Sequence, residues 1–147
     1  MGELFSRDHL LIVEEFQGDW SEAIKVCGQL MRRAGSIEEG YIGAMIDAVH
    51  EMGPYMVIAP HLAIAHAAAG PHVLKDDLVL VVFRTPVEFH SPNDPVHVLF
   101  GICATEPGKH LEQMQELAGL LDDDDVYRSF LDCKDIEALY NYVNQAK

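Results

Sequence analysis

Eight histidines are the chemically unusual feature of this sequence, and all but His9 fall between His50 and His110. Near neutral pH an imidazole can hold a metal, shuttle a proton or act as a nucleophile. Metal binding is the first chemistry to weigh, because His61, His66 and His72 are close in sequence. Their spacings of five and six match neither adjacent helical turns nor one face of a strand, and no cysteine pair assists them. Neither a metal nor an organic cofactor is therefore expected. His66 has the more specific setting. It ends the apolar run VIAPHLAIAH and is followed by Ala67, Ala68, Ala69 and Gly70. Small neighbours keep an imidazole accessible and let another protein's backbone approach, and an unprotonated imidazole is a competent phosphoryl acceptor. The residues alone leave open a histidine that is hydrogen-bonded at a strand end and inert. No phosphate-binding loop, dinucleotide glycine fingerprint, GxSxG elbow or HExxH helix offers a rival chemistry.

The charge balance narrows the partners. Ten basic against twenty-four acidic residues leave a formal charge of −14. Such a surface repels nucleic acid and anionic membranes, while it accelerates the approach of a basic protein face. Cys27, Cys103 and Cys133 are odd in number, widely spaced and set among apolar residues, so they read as reduced core thiols. The first residues lack a basic segment followed by an apolar run, and no apolar stretch approaches the ~20 residues that span a bilayer. A cytoplasmic protein without direct membrane insertion is expected. The run Asp122–Asp125 lacks the alternation and glycine turn of a calcium loop, and reads as acids favoured by the start of the next helix.

The elements that position His66 follow from periodicity. His9–Val13 reads as a strand. Asp19 with Glu22 has capping-box spacing before the stripe Trp20, Ala23, Ile24, Cys27, Leu30 and Met31. Ser36 with Glu39 repeats that spacing before Ile42, Met45, Ile46 and Val49, and Gly53-Pro54 ends the second helix. Tyr55–Ala59, Leu62–His66, Leu78–Phe83 and Val96–Ala104 read as strands, parted by turns at Gly70-Pro71, Thr85-Pro86 and Ser91–Pro95. The last two strands are apolar on both faces, as in a sheet covered by helices on both sides. Leu111, Met114, Leu117, Ala118 and Leu121 mark a further helix, and Ile136, Leu139, Tyr140 and Val143 the last. The fold class is α/β: residues 1–147 form one layered sandwich around a mixed, mostly parallel sheet flanked by helices. Tyr55–Ala59 and Leu62–His66 are too close for a parallel crossover, which accounts for the mixture.

The segment GPYMVIAPHLAIAHA, Gly53 to Ala67, resembles the phosphorylation site of phosphotransferase-system IIA components of the mannitol–fructose class, and within it the ascorbate-type branch. FHSPNDPVHVLFGICA and KHLEQMQELAGLL extend the likeness over most of the chain. The resemblance implies the IIA mannitol/fructose-type fold and a phosphoryl carrier. His66 would accept phosphate from HPr, the small histidine-containing phosphocarrier protein, and pass it to a cysteine of a IIB component during sugar uptake. It places His110 beside the phosphorylation site as a donor. It leaves room for a homodimer, and for a regulatory relative whose phosphorylation state a partner senses. Ala65 stands where the family usually has proline, Ala68 where the ascorbate branch tends to have arginine, and His61 where glycine is usual. Related mannitol-type proteins carry an arginine at the place of His50.

Overall fold

The computed structural model describes residues 3–121 and 125–145. A 3₁₀ turn at Arg7–His9 leads into β1 (Leu10–Val13), followed by helices α1 (Trp20–Arg33) and α2 (Glu39–Met52). Strands β2 (Val57–Ala59), β3 (Leu62–Ala65), β4 (Asp77–Val87) and β5 (Val96–Cys103) come next, then helices α3 (Pro107–Ala118), α4 (Val126–Asp132) and α5 (Ile136–Gln145). The five strands form one sheet in the order β1-β4-β5-β3-β2. β1 with β4 and β3 with β5 are parallel, whereas β4 with β5 and β2 with β3 are antiparallel. The sheet is thus mixed, as expected. Parallel pairing takes two of its four ladders, because short connections turn β2 into β3 and β4 into β5.

Strand alternation divides the core into two layers. Val79, Val81 and Phe83 of β4 face α1 and α2, while Leu78, Leu80 and Val82 face α3, α4 and α5. β3 alternates likewise, with Ala63 and Ala65 on the first face and Leu62 and Ile64 on the second. Over β5, α1 packs closely at Gly101. A Cβ there would overlap Cys27 Sγ and stand 2.8 Å from Val79 Cγ2. Those atoms are buried and short-tethered, so the layers cannot yield cheaply. Gly101→Ala is expected to cost about 1–3 kcal/mol of stability through overpacking, checked by urea denaturation, where an unchanged midpoint would contradict the close approach.

Two helix starts differ in kind. Asp19 accepts from Glu22 N–H at 3.0 Å and Glu22 Oε1 accepts from Asp19 N–H at 3.0 Å, which completes the expected capping box. The Ser36–Glu39 box does not form. Ser36 is fully buried and donates its hydroxyl to Asp77, so the cap of α2 passes to Glu38 without a side-chain bond. The chain also does not turn at Thr85-Pro86. β4 runs on to Val87 through an irregular register, because Thr85 Oγ1 is tied to Glu14 O and Phe16 N, and Pro86 needs no ladder partner there. In α3 Leu111 is exposed rather than core, and Gln113 is buried in its stead, donating to the Asp77 and Cys103 carbonyls. Asp122–Asp124 lie outside the described residues. No helix of the described residues is long and apolar enough to cross a membrane.

Candidate functional site

Because β3 and β5 are parallel, with Ala65 opposite Gly101, their C-terminal ends lie side by side. Beyond the end of β5, Pro107 opens α3, the first helical position where its missing N–H is no loss. Ligand sites in such sheets form outside the carboxyl ends of strands. His66 is the residue after β3. Continuing the alternation of Ile64 and Ala65, it turns toward the α3 side, where His110 stands in the first turn. The two imidazoles lie 5.4 Å apart between ring centroids, inclined at 53°. The sequence pair His66 and His110 is therefore one site in space.

His66 Nδ1 lies 2.8 Å from the Ile64 carbonyl oxygen. A carbonyl only accepts, so Nδ1 carries the proton and Nε2 keeps its lone pair. The main chain thus chooses the tautomer. Burial of the ring, half-enclosed at the strand end, lowers the pKa of His66 below the ordinary value, only partly countered by the bond to Ile64. His110 is lowered too, first by burial and then by the neighbouring His66. Its Nδ1 is buried and has no hydrogen-bond partner among the described residues. An unmet buried polar atom is costly, and this one stands beside the His66 ring, at the positive end of the α3 dipole.

Two tyrosines complete the surroundings. The Tyr55 ring meets His66 edge-on at 5.0 Å, and its hydroxyl donates to the His66 carbonyl at 2.9 Å. Tyr41, fully buried in α2, accepts from Ala67 N–H at 3.0 Å. Neither was picked out from the sequence, although a tyrosine set into the apolar stripe of α2 must find its hydroxyl a partner, and that was the available signal.

The other histidines are elsewhere. His61 precedes β3 at its opposite end, donates Nδ1–H to Pro95 O at 2.7 Å and packs against Tyr127 at 4.2 Å, inclined at 49°. Its φ of 66° is a left-handed conformation that glycine adopts at least cost, which accounts for glycine being usual there in the resembled family. His97 Nδ1 bonds to Phe83 O, His72 to Glu38, and His50 packs against Trp20. His61, His66 and His72 do not converge. Among the described residues no three His, Cys, Asp or Glu side chains are grouped to hold a metal ion. The three cysteines are buried thiols.

The family described as "Phosphoenolpyruvate-dependent sugar phosphotransferase system, EIIA 2" matches residues 3–146. The ascorbate-specific PTS system EIIA component of Escherichia coli (strain K12) is 31% identical over 128 residues, spanning 86% of this chain and 83% of that protein. The solution structure of the mannitol-specific cryptic phosphotransferase enzyme IIA of Escherichia coli superposes with a TM-score of 0.82 at 25% identity, covering 97% of this chain and 96% of that one. A complex of the mannitol enzyme IIA with phosphorylated enzyme IIB from Escherichia coli contains the same fold, with a TM-score of 0.80 at 21% identity over 96% of each chain.

Proposed function

We propose that this chain, which belongs to the EIIA 2 family of the phosphoenolpyruvate-dependent sugar phosphotransferase system, is a cytoplasmic carrier that accepts a phosphoryl group from HPr on His66 and delivers it to a IIB component. The observation that carries the reading is the bond from His66 Nδ1–H to the Ile64 carbonyl, which leaves Nε2 unprotonated beside His110. In the forward step the Nε2 lone pair attacks phosphorus in line, and the bond to the carrier's imidazole breaks with its electrons returning to that ring. Positive charge then grows on the His66 ring, and the Ile64 carbonyl faces the N–H that bears it. Negative charge on the phosphoryl oxygens favours protonation of His110, which turns it into a charged donor. Transfer rests on alignment and electrostatics, and it runs readily in both directions because one N–P bond replaces another.

The transported solute is by this reading ascorbate or a related sugar or polyol, the class for which the similar ascorbate-specific and mannitol-specific proteins are named. The functional test is reconstitution. Phosphoenolpyruvate, the first enzyme and HPr are expected to load one phosphoryl group on this chain, and a cognate IIB component to remove it. Loading without any delivery to IIB would favour the regulatory alternative.

The pH dependence follows from the site. Neutral His66 is the nucleophile, and its pKa lies below the ordinary 6.5. The neutral form therefore persists to more acid pH than in a free imidazole, and acceptance declines only as pH falls through the lowered value. Stability follows the same direction: it is full above 6.5, and is lost on acidification as the unfolded chain takes up protons that the fold refuses. Single-turnover acceptance across pH 5–8 is expected to show its acid limb centred below 6.5. An acid limb centred at or above that value would contradict it.

A further inference from the structure

The peptide bond that joins His66 to Ala67 is gripped at both of its polar atoms by tyrosine hydroxyls. Tyr55 donates to the carbonyl of His66 at 2.9 Å, and the N–H of Ala67 donates to Tyr41 at 3.0 Å. The single proton of Tyr41 is spent on the Ile102 carbonyl at 2.9 Å, so one hydroxyl ties the segment beyond β3 to the end of β5. This matters because the β3–β5 ladder stops at Ala65 and Gly101. Past that point the sheet offers the backbone no partner, yet Ala67 is buried and its peptide groups must be satisfied. The two hydroxyls take the place of the missing ladder bonds at the peptide that follows the phosphoryl-accepting residue.

We propose that Tyr41 and Tyr55 are positioning residues for phosphoryl transfer. Ala65 is still paired to β5, so fixing the plane of the 66–67 peptide fixes ψ of His66 and with it the direction of the Cα–Cβ bond. The Nδ1–H bond to Ile64 then sets the aim of Nε2. The proposal rests on the reading of His66 as acceptor. In-line transfer tolerates little error in aim, since a displacement of about 1 Å can cost on the order of 100-fold. Tyr55 serves twice, because its hydroxyl holds the peptide while its ring shields the imidazole edge-on. The two roles separate by substitution: Tyr55→Phe removes the hydroxyl alone, and Tyr55→Leu removes the aromatic shield as well.

The test is single-turnover transfer from phosphorylated HPr to the parent chain, Tyr41→Phe, Tyr55→Phe, the double variant and Tyr55→Leu, with the label mapped by mass spectrometry. Each Phe variant is expected to lower the maximal rate about tenfold without changing the half-saturating HPr concentration. The double variant should lose less than the product of the two, because both hydroxyls act on one peptide. Tyr55→Leu should also move the acid limb of the pH–rate profile toward the ordinary histidine value, and Tyr55→Phe should not. Hydrogen exchange at the Ala67 amide supplies a readout independent of activity, and Tyr41→Phe should accelerate it. Should Tyr41→Phe fail to fold, Tyr55→Phe at its half-buried position carries the test. Faster exchange with label on His66 and rates within about twofold of parent would overturn the proposal alone. Label on another residue of the parent would overturn the acceptor reading and this proposal with it.

Discussion

His66→Ala is expected to abolish stable phosphoryl uptake from phosphoenolpyruvate, the first enzyme and HPr, while leaving the fold intact. The side chain is half-buried at the strand end, outside the two core layers, and its ring makes one hydrogen bond among the described residues, to Ile64 O, so truncation removes chemistry rather than core. No other imidazole can substitute in place. His110 is near, but its ring sits at the start of α3 with a buried Nδ1 and a different approach. His61 stands at the opposite end of β3, roughly 16 Å away for a strand rising ~3.3 Å per residue. His61→Ala should therefore transfer phosphate at close to the parental rate. Mass spectrometry of the intact proteins reads both results: one added phosphoryl group on parent and His61→Ala, none on His66→Ala. Uptake by His66→Ala at the parental level would refute the assignment.

His110→Ala carries the second largest expected effect. Its imidazole faces His66 at 5.4 Å, and both rings are held toward the neutral form before the phosphoryl group arrives. Negative charge delivered there is stabilised most by a donor that protonates in response, because the site is partly buried and the interaction is weakly screened. Removing one such donor typically costs about 10²–10³-fold in rate. The variant should melt as the parent does or slightly higher, since it relieves a buried ring nitrogen without a partner. His110→Gln retains a donor and should recover part of the loss. Single-turnover transfer gives the rate and thermal melting the fold. A change under about threefold with melting unaltered would remove His110 from the site.

Much of this arrangement was legible in the sequence, for identifiable reasons. The both-faced apolar character of Leu78–Phe83 and Val96–Ala104 foretold strands covered on two sides, and the two core layers explain it. The Asp19–Glu22 cap is local and formed as its spacing required. Ser36–Glu39 has the same spacing and failed, because a half-buried carboxylate far away in sequence, Asp77, takes the serine hydroxyl. Thr85-Pro86 carries a turn signal that long-range bonds to Glu14 and Phe16 override. Leu111 fits a helical stripe by type, yet it faces solvent while the polar Gln113 takes a buried place on α3 by bonding to two carbonyls. The site shows the same division. Small residues around His66 marked it out, and strand parity together with the parallel β3–β5 pair brings His110 to it. The tautomer, set by the Ile64 carbonyl, and the tyrosine grip on the 66–67 peptide depend on tertiary contacts that no spacing announces.

The central claim is that Nε2 of His66 bears the phosphoryl group. It is tested most directly by nuclear magnetic resonance of the ¹⁵N-labelled chain, phosphorylated by phosphoenolpyruvate, the first enzyme and HPr. The account predicts one phosphohistidine, with phosphorus coupled to Nε2 of His66 and a proton retained on Nδ1 toward Ile64 O. Phosphorus coupled to Nδ1 of His66, or to any nitrogen of His61 or His110, would contradict it.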